Sequence, residues 1–231
     1  MIPLRDNIPS SRRPYVNYTI IGVNVVVFLL EVASGPRLGD LLATYGFVPA
    51  RFLIFLGQGA VAAAIIPMFT SMFLHGGWLH LIGNMWTLFI FGDNVEDVLG
   101  EGGFLFFYLV CGAAALILHV LISGGSAVPL VGASGAIAGV MGAYVCLFPG
   151  ARILTLVPIF IIFTVIEVPA YIYLGIWFFL QFFQGTFSIT TQGAVGGVAW
   201  WAHVGGFLAG VGLINLLTPG RAVNPLKWFL K

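Results

Sequence analysis

Charged residues are what this sequence has least of. Only 7% of the 231 residues are charged, 9 of them basic and 8 acidic, whereas 60% are hydrophobic. A soluble domain carries about 25% charged residues, so this composition excludes a soluble globular domain as well as a disordered chain. The net charge of +1 without a basic block argues against a nucleic-acid partner. Cysteine is also scarce: Cys111 and Cys146 both lie in apolar runs and are interpreted as free buried thiols.

Long apolar runs account for most of what is present and predict an all-α, polytopic membrane protein. At about 20 residues per span, the length allows roughly six or seven helices in one bundle. The predicted spans are 16–33, 69–91, 103–122, 132–148, 153–182 and 196–217. The run 153–182 is longer than one span requires and contains Pro158, Glu167 and Pro169. We interpret it as an interfacial segment followed by one helix from about Val165, with two spans as the alternative.

The distribution of basic residues predicts the orientation of these spans. Both tails carry three basic residues each, namely Arg5, Arg12 and Arg13 at one end and Arg221, Lys227 and Lys231 at the other. The positive-inside rule therefore predicts two cytoplasmic termini, which requires an even number of spans and supports six. The segment 35–68 then becomes an outer loop, and its apolar stretches predict that it lies in the membrane interface rather than in water.

Polar side chains inside apolar spans are costly, so each is a candidate for function. His80 and Asn84 are four residues apart and share one helix face, where their N–H groups can point to one place. Hydrogen bonding between helices is the structural alternative for this pair. His75 lies near the outer end of the same span and is interpreted as a residue at the helix start or as a turn anchor.

A serine with glycines nearby lies at the start of the fourth predicted span. Ser134 lies between Ala133 and Gly135 and follows Gly132 by two residues, so its hydroxyl and the free N–H groups of the helix start can face outward. Those N–H groups could stabilise an oxyanion. An N-cap serine with small packing residues is the alternative. The nucleophile elbow of soluble hydrolases is excluded because it needs a glycine where Ala136 stands.

A histidine with small residues on its helix face lies in the sixth predicted span. Ala199, His203, Gly206 and Gly210 share this face, and the glycines permit close approach of a neighbouring helix. A hydrogen-bonded structural role is the alternative for His203. Spans two, four and six contain no Asp or Glu except at their ends, so a Ser–His dyad is expected rather than a triad with a carboxylate.

Three other ionisable residues are interpreted as structural. His119 has no polar neighbours along the third span, while Glu31 and Glu167 lie near span ends where water or a hydrogen-bond partner is within reach. With the N-terminus inside, Ser134, His203, His80 and Asn84 all fall in the outer half of the membrane. These four residues are therefore expected to converge on a cavity that opens to the outer face.

These motifs together resemble the rhomboid family of intramembrane serine proteases, and the resemblance covers essentially the whole chain. It rests on three segments that occur in the family's order, namely His75-Gly-Gly-Trp-Leu-His80-Leu-Ile-Gly-Asn84-Met85, Gly132-Ala133-Ser134-Gly135, and Ala202-His203-Val204-Gly205-Gly206 with Gly210. The stretches 69–74 and 93–97 also look like the family's flanking segments. A Trp-Arg pair that some members carry in the first loop is absent here, which leaves the anchoring of that loop open.

The resemblance implies a function and a role for each matched residue. It implies a six-helix core in a single membrane domain over 1–231, with the core at about 16–217 and an interfacial first loop at 35–68. It implies Ser134 as nucleophile, His203 as general base and then acid, and His80 and Asn84 as oxyanion donors with the Ser134 N–H. Gly132, Gly135, Gly206 and Gly210 are the supporting residues. No metal or cofactor is implied.

The expected function is cleavage of transmembrane segments of membrane-protein substrates in a lipid bilayer, in a prokaryotic plasma membrane with both termini cytoplasmic. Two alternatives remain at this stage. One is an inactive protein of the same fold that binds membrane spans, and the other is a small transporter. The inactive protein should lack the serine or the histidine, but both are present. The transporter should show inverted repeats or charged residues at the membrane midplane, and neither is visible in the sequence.

Overall fold

The computed structural model describes residues 1–159, 162–190 and 199–220. The chain begins with a short strand β1 (Ile2–Arg5) and a long helix α1 (Tyr15–Ala33). Three shorter helices follow: α2 (Leu38–Tyr45), α3 (Pro49–Gly57) and α4 (Val61–Thr70). The remaining elements, in chain order, are α5 (Trp78–Leu99), α6 (Glu101–Ser123), α7 (Ser134–Leu147), β2 (Arg152–Ile159), β3 (Ile162–Pro169), α8 (Ala170–Thr190) and α9 (Trp200–Leu217).

Each predicted span overlaps one helix, namely α1, α5, α6, α7, α8 and α9 in order, and the helical bundle is confirmed. Within the described residues, α1, α6 and α9 are long and apolar enough to cross a membrane. Helices α4 and α5 are also long and apolar enough if they are taken together as one span, with a bend of 85° between them. Helix α7 is shorter, with 14 residues. The sixth predicted span began at 196, which lies outside the described residues, as do the three basic residues of the C-terminal tail.

The interpretation of the segment after α7 was wrong in one respect. The predicted helix start at about Val165 is wrong, because the residues up to Pro169 form an antiparallel hairpin in which β2 pairs with β3 from Arg152↔Pro169 to Ile159↔Ile162. The two-span alternative is also wrong, since one helix follows and begins at Ala170. The physical reason is composition: Ile, Val and Thr make up half or more of each strand and favour extended backbone over helix.

The N-terminal segment completes this small sheet at the end of the bundle opposite Ser134. Strand β1 pairs antiparallel with β2, and the indole N–H of Trp86 donates to the carbonyl of Pro3 at 2.6 Å. Farther along, Ser11 bonds the Asp97 carboxylate, and the Glu96 carboxylate accepts the backbone N–H of Asn17 at 2.7 Å. The first residues are therefore fastened to the sheet and to the last turns of α5.

The predicted outer loop 35–68 is largely helical, because it contains α2, α3 and most of α4. Phe47 is 1% exposed and packs in a buried cluster with Met68, Leu116 and Val120. Its backbone forms an antiparallel bridge to Leu130, with N···O distances of 3.0 and 2.7 Å. A buried aromatic side chain and a backbone bridge therefore hold this segment, which answers how it is anchored without a Trp-Arg pair.

Helices α7 and α9 pack so closely that their backbones meet at glycines. A Cβ added at Gly206 would collide with the carbonyl oxygen of Gly135, and one added at Gly210 would collide with that of Gly139. At Gly142, an added Cβ would collide with the backbone of Phe207. Small residues permit such contact between membrane helices, and the contact sets the distance between the starts of the two helices, where Ser134 and His203 lie.

Candidate active site

Ser134 and His203 form a hydrogen-bonded pair. The Ser134 Oγ lies 2.8 Å from Nε2 of His203, although the two residues are 69 positions apart in the sequence. Ser134 is the first residue of α7, where the N–H groups of a helix have no intrahelical partner. His203 lies in the first turn of α9. A serine hydroxyl and an imidazole nitrogen at this distance have the geometry of a nucleophile with its base.

The other ring nitrogen of His203 also has a partner, which the sequence reasoning missed. Its Nδ1 lies 2.7 Å from Oε1 of Gln181, a buried residue of α8. Two tryptophan rings surround the same imidazole: the centroid of Trp177 lies 5.9 Å away and that of Trp200 lies 6.2 Å away, perpendicular to it. The imidazole is thus held by hydrogen bonds at both nitrogens and by aromatic rings.

His80 and Asn84 lie on α5, which begins at Trp78, and both point toward Gly132. A Cβ added at Gly132 would lie 2.7 Å from Cε1 and Nε2 of His80 and 3.6 Å from Nδ2 of Asn84. Gly132 also has a φ of +126°, a conformation that residues with a Cβ rarely adopt. The structure therefore brings the two side chains together beside the residue that lies two positions before Ser134.

His75 belongs to this cluster and is more than the turn anchor that the sequence suggested. It is 2% exposed, and its Nε2 lies 3.0 Å from Nδ2 of Asn84. Its backbone N–H points between the two carboxylate oxygens of Glu31, at 3.1 and 3.2 Å. Glu31 is itself 2% exposed on α1, so it does not reach water but fixes the backbone at His75.

The remaining predicted structural residues lie elsewhere. His119 is buried in α6, and its Nδ1 has no partner among the described residues. Glu167 is exposed and lies 3.7 Å from Arg152 across the β2–β3 pair. Neither residue lines the cavity next to Ser134.

A cavity of 670 Å³ joins the candidate residues. Its lining includes Ser134, His203, His80 and Asn84, together with the chain before the helix at Pro129–Val131 and the turn at Gly76–Leu79. All four residues predicted to converge on a cavity line this one. The space is large enough for a segment of peptide beside the serine hydroxyl.

Comparison with known proteins shows where the chain belongs. The family model described as Rhomboid domain matches residues 62–219. The chain is 31% identical over 207 residues to Rhomboid protease GluP of Bacillus subtilis (strain 168), which covers 88% of this chain and 36% of that protein. It is also 30% identical over 151 residues to RHOMBOID-like protein 6, mitochondrial, of Arabidopsis thaliana, covering 54% of this chain and 48% of that one.

The chain belongs to the rhomboid family. It is therefore a multi-pass integral membrane protein, either an intramembrane protease or an inactive rhomboid-like protein. It spans less than half the length of the curated relatives that it matches, for example 38% of Rhomboid protein 1, mitochondrial, of Saccharomyces cerevisiae.

Proposed function

We propose that this protein is an intramembrane serine endopeptidase in which Ser134 is the nucleophile and His203 is the general base. The observation that carries the proposal is the 2.8 Å contact between Ser134 Oγ and His203 Nε2 at the wall of the cavity. A free serine hydroxyl is a weak nucleophile and needs a base within hydrogen-bond reach. His203 accepts the proton as Oγ attacks the peptide carbonyl, and then returns it to the leaving amine.

His80 and Asn84 supply hydrogen bonds to the oxyanion that forms in this attack. The Asn84 amide has two N–H donors, and one of them is directed at His75, which leaves the second for the oxyanion. His80 accepts a hydrogen bond at Nδ1 from the backbone N–H of Gly76, at 3.4 Å. Its proton is then on Nε2, the atom that faces Gly132. The Ser134 backbone N–H, at the start of α7, is the third donor.

The substrate is a transmembrane segment of another membrane protein. The carbonyls of an intact helix are already hydrogen-bonded, so the segment must unwind locally before Ser134 can reach one. Helix α7 has 14 residues and is about 21 Å long, shorter than the ~30 Å hydrocarbon core. This length suits a serine set below the membrane surface at the base of an open cavity. Substrates with Gly or Pro near the outer membrane end fit this requirement best.

The same proposal includes a single membrane domain with both termini in the cytoplasm of a prokaryotic cell. The basic residues Arg5, Arg12 and Arg13 support the cytoplasmic placement of the first segment. The similarity to the Bacillus subtilis protease supports a plasma-membrane location. The relatives named mitochondrial are the reason that this location is a proposal.

Labelling with a fluorophosphonate probe in detergent tests the function directly. The reagent forms a covalent bond only with an activated serine, so the wild-type protein should be labelled at Ser134, as peptide mapping would show. Ser134→Ala removes the nucleophile and His203→Ala removes the base, and both should abolish labelling. A folded wild-type protein that is not labelled and cleaves no membrane substrate with a glycine-containing span would instead be an inactive binder.

A further inference from the structure

Helix α8 places a residue next to the Ser134–His203 pair, and neither the motifs nor the family match assigns a role to it. Gln181 is buried, and its Oε1 lies 2.7 Å from Nδ1 of His203, on the far side of the imidazole from Ser134. We propose that Gln181 is a positioning residue that completes a Ser134–His203–Gln181 chain and fixes the tautomer of His203. This inference rests on the proposed function, because the tautomer matters only if His203 acts as a base.

A neutral imidazole has two ring nitrogens, one of which carries a hydrogen while the other accepts a hydrogen bond. His203 can take the serine proton only if Nε2 is free to accept, which requires the hydrogen to be on Nδ1. A carboxamide oxygen at 2.7 Å from Nδ1 is an acceptor for that hydrogen. Without an acceptor there, the ring could carry its hydrogen on Nε2 and could not activate Ser134.

The same contact fixes the orientation of the ring. Trp177 lies four residues before Gln181 and therefore on the same face of α8. Its ring contacts the imidazole, with the centroids 5.9 Å apart and the planes at 35°. Gln181 and Trp177 thus contact one side of His203 from α8, a helix that carries neither Ser134 nor His203. The position of α8 is thereby linked to the alignment of the base.

A carboxamide also suits this environment better than a carboxylate does. A buried carboxylate requires compensation for its lost hydration, and an apolar bundle offers little. Gln181 accepts the hydrogen bond without carrying a charge. It therefore fixes the tautomer, but it stabilises the positively charged imidazolium less than an aspartate would. A change from carboxamide to carboxylate should consequently alter the pH dependence of the reaction and not only its rate.

Two variants of Gln181 and one control on the same helix test this role in the full-length protein. Gln181→Met keeps the size but replaces the carboxamide oxygen with a thioether sulfur, which is only a weak acceptor, and we expect kcat to fall by about tenfold or more with little change in KM. Gln181→Glu keeps an acceptor oxygen and adds a charge that stabilises the imidazolium. Its activity should recover at high pH, and the acidic limb of the kcat/KM profile should move to higher pH. Gln184→Met makes the same chemical change at an exposed position of α8 and should leave both parameters unchanged.

The measurements are kcat, KM and the pH profile on a model membrane substrate, with thermal stability of the same preparations. A role confined to packing α8 against α9 would lower stability without moving the pH profile. Wild-type kcat in folded Gln181→Met, or an unmoved acidic limb in Gln181→Glu, overturns the inference. If Gln181→Met does not fold, the Gln181→Glu profile decides alone. Inactivity of the wild-type protein would instead count against the proposed function.

Discussion

The amide nitrogen of Asn84 lies 3.0 Å from Nε2 of His75, and the backbone N–H of His75 is directed at the carboxylate of Glu31. Helix α1 and helix α5 are thus connected through the residue that opens the turn before α5. The pairing leaves one N–H of Asn84 available on the side of the cavity. Because Asn84 is both a structural contact and a proposed hydrogen-bond donor to substrate, its substitution can change stability and turnover separately.

Loss of an oxyanion donor should affect turnover more than stability. Removing one such donor costs about 3 kcal/mol in transition-state stabilisation, or roughly 10²–10³ in rate. We therefore predict that Asn84→Ala is impaired but not inactive, since His80 and the Ser134 N–H remain. His80→Ala should be at least as harmful. Turnover and thermal stability measured on the same preparation distinguish an oxyanion role from a structural one. If Asn84→Ala is strongly destabilised but its folded fraction turns over at the wild-type rate, Asn84 has a structural role only.

The dyad should behave as a unit. Ser134→Ala and His203→Ala should each abolish cleavage of a model membrane substrate while the protein still folds. Because removal of either member disables the same chemical step, the double variant should be little worse than either single variant. Cleavage rates for the three variants, with circular dichroism to verify folding, provide the check. Substantial activity in folded Ser134→Ala would rule out Ser134 as the nucleophile.

The glycine contact between α7 and α9 should control the alignment of Ser134 and His203. Even a methyl group at Gly206 would collide with the carbonyl oxygen of Gly135, so Gly206→Ala must push the two helices apart. A displacement of about 1 Å can cost about 100-fold in rate. Gly212→Ala is the matched control, because nothing lies within 4 Å of a Cβ built there on the same helix. Equal activity for the two alanine variants would contradict this account.

The burial of Asp6 should make stability depend on pH. Burial raises the pKa of the Asp6 carboxyl, and the hydrogen bond that the Tyr144 hydroxyl donates offsets this only in part. Asp93 lies near enough to repel a charged Asp6. A raised pKa means that the folded state favours neutral Asp6. Its contribution is therefore complete below the ordinary pKa of an aspartate and is lost as pH rises through the raised value.

Asp6→Asn should remove this dependence, because the amide keeps an acceptor for Tyr144 but cannot ionise. We expect the thermal stability of the variant relative to wild type to increase as pH rises from acid toward neutral. Asp40→Asn, at an exposed position of α2, should show no such trend. A stability difference that stays constant with pH would show that the ionisation of Asp6 does not contribute.

The sequence by itself determined the class of protein and the residues of the candidate pair. Scarce charge and long apolar runs predict a membrane bundle from composition alone, since the cost of burying charge in lipid does not depend on the details of folding. Ser134, His203, His80 and Asn84 are recognisable because polar groups inside apolar spans are costly and because the segments that carry them resemble the rhomboid motifs. The glycines on the His203 face also predicted the close approach of a neighbouring helix, which in the structure is α7.

Only the tertiary structure decided which groups form hydrogen bonds to these residues and their neighbours. The sequence offers no carboxylate beside His203, and the partner is instead the carboxamide of Gln181, 22 positions away on another helix. Glu31 lies near the end of its helix with a hydrogen-bond partner, as expected, but only the structure shows that the partner is the backbone of a turn 44 positions later. The pairing of β1 with β2 was missed for the same reason, because Ile2 and Leu156 are far apart in the sequence and such pairing leaves no local periodicity.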